Sequence, residues 1–493
     1  MKKLKYIFCV VLVSFGLSSC DLDTEHPYAL SNEAVFTTLN NADYVLNGAW
    51  KNLWDPASYT VSSPGYITTQ LASDFLGSDV VECGRYGWAG TYQYTDMLSG
   101  TSAQTTRIWT NAYFAINNCN AVINNIDIVP ITGTADETKR DRIKAQAYAI
   151  RGYLYLDLGT YYANGYHNPT QLAVPIYTEE SSRSSKGNPR STLAQVYKQA
   201  EDDLIAAYGL IGSYDRKTSK QKVNKNVISG LLARLYLYMG DWTNAQKYAA
   251  EAHASYAWMS TTEYLNGFNE ASNSEWIWGH LQNTTQNTAS SGISFKNVTS
   301  TSYYYNMMCD PYFMDDLFAG ATDTDIRYKL FEWGTNSSMA PGYLRYKKFR
   351  YRSTGDNADV VIMRKAEMVL IEAEAYAEMN MLTEAITALN SLRTARNAAT
   401  PDLSSLSKAD LIEEILKERR KELWGEGFSI VDIKRRQKAV DRRDYPATII
   451  GSTTIKTVGH TTRQFSDGSP FVPNSPLYNF VIPTSEYTNN PNL

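Results

Sequence analysis

The segments YLYMGDWTNA (236–245) and YAEMNMLTEA (376–385) share one spacing. In each, Met follows Tyr by three residues, a turn comes next, and Ala stands nine after the Tyr, at Ala245 and Ala385. A further Ala precedes each Tyr by three, Ala233 and Ala373. Small side chains at these places let two antiparallel helices approach closely, which is the helix–turn–helix of a tetratricopeptide unit. One match could arise by chance, but two, both flanked by helical periodicity, point to an α-solenoid. The units are not consecutive in the chain, since Tyr236 and Tyr376 lie 140 residues apart.

Helical patterns extend outward from this pair. Ala42–Trp54 carries Tyr44, Val45, Ala49 and Leu53 on one stripe, and Thr106–Ile126 carries Ile108, Ala112, Ala115, Cys119 and Val122 at three- and four-residue steps. Further helices are expected from about Asp136 to Tyr162 and from Thr192 to Tyr208. Near the C-terminus Ser407 can cap a helix with Asp410 three residues on. Its apolar stripe is Leu411, Ile412, Ile415, Leu416, Leu423 and Trp424, and Gly425 and Gly427 offer the exit. Two stretches, about 55–103 and 255–363, are instead rich in Gly, Ser, Thr, Asn and Tyr with poor period. Within the second, SNSEWIWGH (272–280) reads as a short strand on which Trp276 and Trp278 alternate with Ile277 and one face is core, and SYYYNMMCDPYFMDDLF (302–318) ends as a helix. Loops this long are functional or disordered, and their aromatic content argues against disorder. The expected fold is mostly α: a tetratricopeptide-like helical repeat scaffold with long irregular loops and a few short strands.

At the N-terminus Lys2, Lys3 and Lys5 precede the apolar run YIFCVVLVSFGL (6–17), too short to cross a bilayer. It ends in Leu17-Ser18-Ser19-Cys20, which resembles the bacterial lipobox, where the Cys thiol takes a diacylglycerol and becomes the new N-terminus. Residues 1–19 are then a lipoprotein signal peptide, Cys20 the lipidation site, 20–30 a tether and 31–493 a single domain ending in a C-terminal repeat and tail, 364–493. Removing those three lysines from the 47 basic residues leaves 44 against 51 acidic, which argues against nucleic acid as a partner. Cys83, Cys119 and Cys309 remain, an odd number without metal-ligand spacing. None of the five histidines, His26, His167, His253, His280 and His460, stands at metal spacing with another ligand, and no phosphate loop, nucleophile elbow or zinc motif is present. No metal, cofactor or catalytic residue is therefore expected.

Five segments together resemble the SusD/RagB family, outer-membrane nutrient-binding lipoproteins of Bacteroidetes. They are Cys20-Asp21-Leu22-Asp23 with Pro27; RGYLYLDLGTYYANGYHNPTQLAVP, ending at Pro175; IMRKAEMVLIEAEAYAEMN (362–380); KERRKELWGEGFSIVDIKR (417–435); and FVIPTSEYTNNPNL (480–493). The sequence departs from the family pattern after Glu426-Gly427: Ser429 stands where an Arg is usual, and Ile430 where Trp or Phe is usual. The resemblance implies a cell-surface lid, anchored in the outer membrane over a SusC-like TonB-dependent transporter, that captures an oligosaccharide or, in RagB-type systems, a peptide.

The charged motif residues Arg364, Glu367, Glu372, Glu374, Arg419, Arg420 and Glu422 could form a carboxylate pair for acid–base work or pair between stacked helices. Pairing is favoured, because Arg forks carboxylates bidentately. Ligand binding is assigned to the two irregular stretches. Sugar rings need flat apolar platforms with polar groups beside them. Trp88, Tyr92 and Tyr94, with Arg85 and Asp79 nearby, occupy one Gly-rich loop, and Tyr303, Tyr304 and Tyr305 the other. If the loops meet they form an aromatic arc; otherwise these rings fill a loop-rich core. Trp88 stands out because Gly87, Ala89 and Gly90 are too small to bury it. A surface glycosidase would need two carboxylates about 5–9.5 Å apart across a cleft; Asp79, Asp96, Asp315 and Asp316 are available, but nothing in the sequence pairs them. A bare scaffold for protein partners would not need the long aromatic loops.

Overall fold

Long segments with apolar three- and four-residue spacing become helices: α1 Leu39–Trp54, α2 Ile67–Leu76, α3 Ala103–Asn125, α4 Thr134–Tyr162, α5 Leu193–Leu210, α6 Lys225–Met239, α7 Trp242–His253, α8 Lys365–Glu378, α9 Leu382–Ala395, α10 Lys408–Leu423 and α11 Ser429–Arg435. The structure is a computed structural model that describes residues 32–54, 64–85, 87–181, 185–282, 293–299, 304–321, 324–335, 339–352 and 358–493. The signal segment 1–19, Cys20 and the tether to residue 30, and Tyr303, lie outside the described residues.

Capping fixes several starts. The Thr192 and Gln195 side chains form a reciprocal capping box at α5, and the Ser407 hydroxyl accepts from the Asp410 N–H at α10. The two matching segments turn alike. Gly240 and Asn380, at equivalent places, both adopt the left-handed conformation, with φ of 78° and 62°. The next N–H in each case reaches back to the Tyr carbonyl, Asp241 to Tyr236 and Met381 to Tyr376, both at 2.9 Å. This is the Schellman closure that Gly and Asn favour. Ala233, Ala245, Ala373 and Ala385 are wholly buried where the helices meet.

The helices stack in series, α3 against α1 and α4, then α5 to α9 each on its predecessor, with α10 against α8. The contact of α7 with α8 joins two elements separated by residues 254–364, so the repeats that are apart in the chain are adjacent in space. One large apolar core runs through the array, and a second, built on Leu370, Leu389, Leu411 and Ile415, fills the space among α8, α9 and α10.

The irregular stretches hold two small antiparallel sheets. One pairs β2 Trp276–His280 with β6 Val360–Arg364. The other is ordered β1-β3-β5-β4, from β1 Val80–Glu82, β3 Met307–Cys309, β4 Phe331–Trp333 and β5 Leu344–Tyr346. Side chains alternate across a strand, and register puts Val80, Cys309, Leu344, Tyr346 and Phe331 on one face, toward the main core. Val81 and Met308 point the other way, onto a satellite cluster with Val298, Tyr305, Met339 and Ala340. The stretch 55–103 is more regular than its sequence suggests, because it contains α2. That helix is buried on every side except at Gln70, so it has no polar face to reveal its period.

Candidate functional site

The charged motif residues pair with one another and with charges from distant segments. The Arg364 guanidinium donates to Glu275 at 2.8 Å, to Glu422 at 2.7 Å and to both oxygens of Glu426 at 2.7–2.8 Å. Arg396 donates to Glu275 and Glu422, and Arg327 donates to Asp325 and Glu422 and is ion-paired with Glu418. Nearby, Arg234 forks Glu367, Arg435 holds Glu374, Arg419 holds Asp432, Arg420 holds Asp79, and Glu372 meets His253. Burial alone would favour protonated carboxyls here. The guanidinium groups of Arg396, Arg364 and Arg327 outweigh it at Glu422, holding that carboxyl well below its usual range. Arg327 and its neighbours likewise bring Glu418 down to about 2 against its burial. Glu422 and Glu418 therefore stay ionised, and the paired motif residues build a scaffold.

The two irregular stretches do meet, over the outer face of the four-stranded sheet. Arg85 Nη1 donates to the Tyr305 hydroxyl at 2.7 Å and its guanidinium lies 4.5 Å from that ring's centroid. The Cys83 N–H donates to Asn306 Oδ1 at 3.0 Å. Arg85 and Tyr304 are half-buried, while Tyr305 is buried against the satellite cluster.

The other nominated residues lie inside. Trp88 is 0% exposed, contrary to the expectation from its small neighbours. Those neighbours do not cover it; rings from elsewhere do. Phe75 of α2 stacks on it at 5.3 Å and Phe295 meets it edge-on at 5.5 Å. Tyr92 is buried, its hydroxyl 2.7 Å from His460 Nδ1, with the Arg442 guanidinium 4.2 Å from its ring centroid. Tyr94 is also buried; it donates to the Leu76 carbonyl and packs edge-on against Phe465. Asp79 is buried in its pair with Arg420, and its carbonyl accepts from Trp424 Nε1. Trp276 and Trp278 are buried, and so is Ile277 between them, so both faces of the strand are core where one was expected.

A group missed in the sequence lies at the sheet's β4 edge. Trp333, Tyr312 and Tyr445 are half-buried rings: Tyr445 is edge-on to Tyr312 at 5.0 Å and tilted against Trp333 at 6.3 Å. The Arg443 guanidinium lies 3.8 Å from the Tyr312 centroid and pairs with Asp316, and Tyr445 donates to Asp315 at 2.8 Å. Aromatic faces with a cation and two carboxylates at their margin make an amphipathic ledge. Trp333 alternates with the exposed Glu332 on an edge strand, and that period-2 pattern was the available signal. Its meeting with Tyr445 depends on chain folding that no local pattern records.

Cys83, Cys119 and Cys309 are unpaired thiols. Among the described residues no group of three or more His, Cys, Asp or Glu is placed to hold a metal ion, and no helix is long and apolar enough to cross a membrane.

Comparison with known proteins agrees with this architecture. A family model described as "SusD family" matches residues 320–493, and one described as "Starch-binding associating with outer membrane" matches residues 35–237. A solved SusD-like carbohydrate binding protein from Bacteroides vulgatus is 38% identical, with 92% of this chain and 97% of that chain covered and a TM-score of 0.85. SusD-like protein P38 from Formosa agariphila is 25% identical over 497 residues, covering 90% of this chain and 93% of its own. A solved SusD superfamily protein from Bacteroides thetaiotaomicron shares the fold at 24% identity, with 92% of this chain and 98% of that chain covered and a TM-score of 0.77. Helical hairpins, loop face and end-to-end similarity converge: the chain belongs to the SusD family.

Proposed function

We propose that this chain binds an oligosaccharide on its loop face and hands it to a partner TonB-dependent transporter at the outer membrane. Cys20 carries the lipid anchor, and the protein captures its ligand without turning it over. The reading is supported above all by the 38% identity, over nearly the full length, to a SusD-like carbohydrate binding protein. The ledge of Tyr312, Trp333 and Tyr445 suits it chemically, since flat rings accept the C–H faces of sugars while Arg443, Asp315 and Asp316 reach hydroxyls. Arg85 and Tyr304, both half-buried, offer a further cation and a further ring in the irregular stretches.

Calorimetry of the full-length protein against plant and host oligosaccharides and mixed peptides tests this. Trp333→Ala is expected to weaken a glycan that binds by about tenfold, on the order of 1.4 kcal/mol, with little change in melting temperature. Binding of peptides alone would replace the reading with a RagB-type peptide lid. Glycan affinity that ignores both Trp333→Ala and Arg85→Ala would move the site off this face.

A further inference from the structure

An open pocket of about 480 Å³ lies between the α5–α6 connection, the start of α6 and the residues just after α7, and it shares no residue with the ledge. Arg216, Lys217, Lys220 and Lys225 line it. Arg142 adds a further cation, its guanidinium 4.9 Å from the ring centroid of the lining residue Tyr214. The connection is built around Arg216, which is 6% exposed. Its Nη1 donates to the carbonyls of Lys220 at 3.2 Å and Lys222 at 2.8 Å, and its Nη2 to the Tyr256 hydroxyl at 2.9 Å and to the Ile277 carbonyl of β2. These acceptors are neutral, so they engage the guanidinium donors and leave its charge uncancelled.

The amines beside it remain within reach of a ligand. Lys217 is exposed and Lys220 half-buried. Lys220 Nζ donates to the Asn273 carbonyl at 2.6 Å, and an ammonium has further N–H groups to give. Lys225 is 46% exposed, and Ser213 and Ser255 add exposed hydroxyls. Among the described residues Arg142, Arg216, Lys217 and Lys220 have no carboxylate partner; the ion pairs beside them are Lys222 with Asp43 and Lys225 with Glu251. The acids nearby are held by backbone. Asp215 accepts the Lys217 N–H at 2.8 Å, and Glu263 accepts from Ser260 at 2.8 Å and Ser274 at 3.2 Å. Burial, and after it the neighbouring Arg216, lowers the Lys220 amine from 10.5 to about 8. Cations are thus held together without a counter-ion, in a chain whose net charge is −4. A concave cluster of one sign focuses its field and concentrates ions of the other.

We propose that this pocket binds the phosphate or sulfate group of a small monoester, whose oxygens accept from Lys217 and Lys220 while Arg216 supplies fixed charge from the buried side. A carboxylate is matched by a planar guanidinium fork, and the fork of Arg216 is already engaged. A tetrahedral group instead offers oxygens in several directions, which suits separate ammonium groups acting as point charges. Tyr214 and Tyr256 in the wall give apolar surface to the organic body of the ester. The volume falls within the roughly 300–1,000 Å³ of small-molecule sites. This assignment is independent of the glycan reading.

Calorimetry of the full-length protein with glucose 6-phosphate, glucose 6-sulfate, inorganic phosphate and glucose, at constant ionic strength set by chloride, tests it. One of the two esters is expected to bind saturably at millimolar concentration, about tenfold or more tightly than glucose. Lys217→Gln with Lys220→Gln is expected to weaken that ester about tenfold or more. Lys186→Gln with Lys417→Gln removes the same charge from exposed positions outside the pocket and is expected to change affinity by less than about twofold. No saturable binding of either ester, or equal losses in the two double variants, would overturn the proposal. Inorganic phosphate that binds as tightly as both esters would replace the monoester with the free ion. If Lys220→Gln impairs folding, Lys217→Gln alone still decides it, with an expected loss of about threefold.

Discussion

At the junction of α8 and α10, Arg327, Arg364 and Arg396 are wholly buried and share Glu275, Glu422 and Glu426. On the loop face Arg443 is 44% exposed, lies against Tyr312, and pairs with an Asp316 that is 51% exposed. Both regions combine arginines with carboxylates and aromatic rings, yet solvent separates their roles. In the junction each charge has lost its water and depends on partners fixed by five segments of chain. On the ledge water still solvates the charges, so the pairs can be exchanged for a ligand at little cost. Residue type alone therefore does not distinguish scaffold from candidate site here; desolvation does.

Truncating Glu422 tests the buried side most severely. Glu422→Ala leaves three guanidinium groups short of an acceptor and is expected to destabilise the protein by about 3–5 kcal/mol, read from urea unfolding. A loss below about 1 kcal/mol would mean the junction is wet and the contrast false. Trp88→Ala should also cost about 3–5 kcal/mol through the space left between Phe75 and Phe295; an unchanged midpoint with lost ligand binding would instead return Trp88 to the binding face. Lys434 sharpens the contrast as a buried cation with no carboxylate partner among the described residues. It donates to the Thr160 carbonyl at 2.7 Å, and burial lowers its pKa from 10.5 to about 7. Between those values the unfolded chain binds more protons, so stability rises with pH there. Lys434→Met is expected to gain about 1–3 kcal/mol below pH 7, with the gain shrinking toward pH 10.5; a gain that does not change with pH would contradict it. The smallest effect belongs to the exposed pair: Asp316→Ala should shift stability by less than about 0.5 kcal/mol in thermal melts.

The scaffold was legible because its signals are local. Helices with one wet face announced their period, and Thr192 and Ser407 marked two starts with side chains a few residues away. α2 was not, since burial all round removes the polar face on which amphipathic reading relies. The site was less legible for the same reason in reverse. Whether Trp88 is exposed depends on Phe295, and whether Trp333 forms a ledge depends on Tyr445, both remote in sequence. The expected convergence of the two stretches is seen where Arg85 meets Tyr305 and Cys83 meets Asn306.

The stacking of α7 directly on α8 means that residues 254–364 leave and rejoin the array at neighbouring points. Between the parts that Glu275 and Arg327 fix in the buried junction, a segment tied at both ends to one spot can lengthen or shorten. Its length can drift cheaply, because doubling a closed loop costs only about 0.6 kcal/mol in chain entropy. The part of the proposed binding surface that this segment carries can thus diversify while the helices beneath it keep their register.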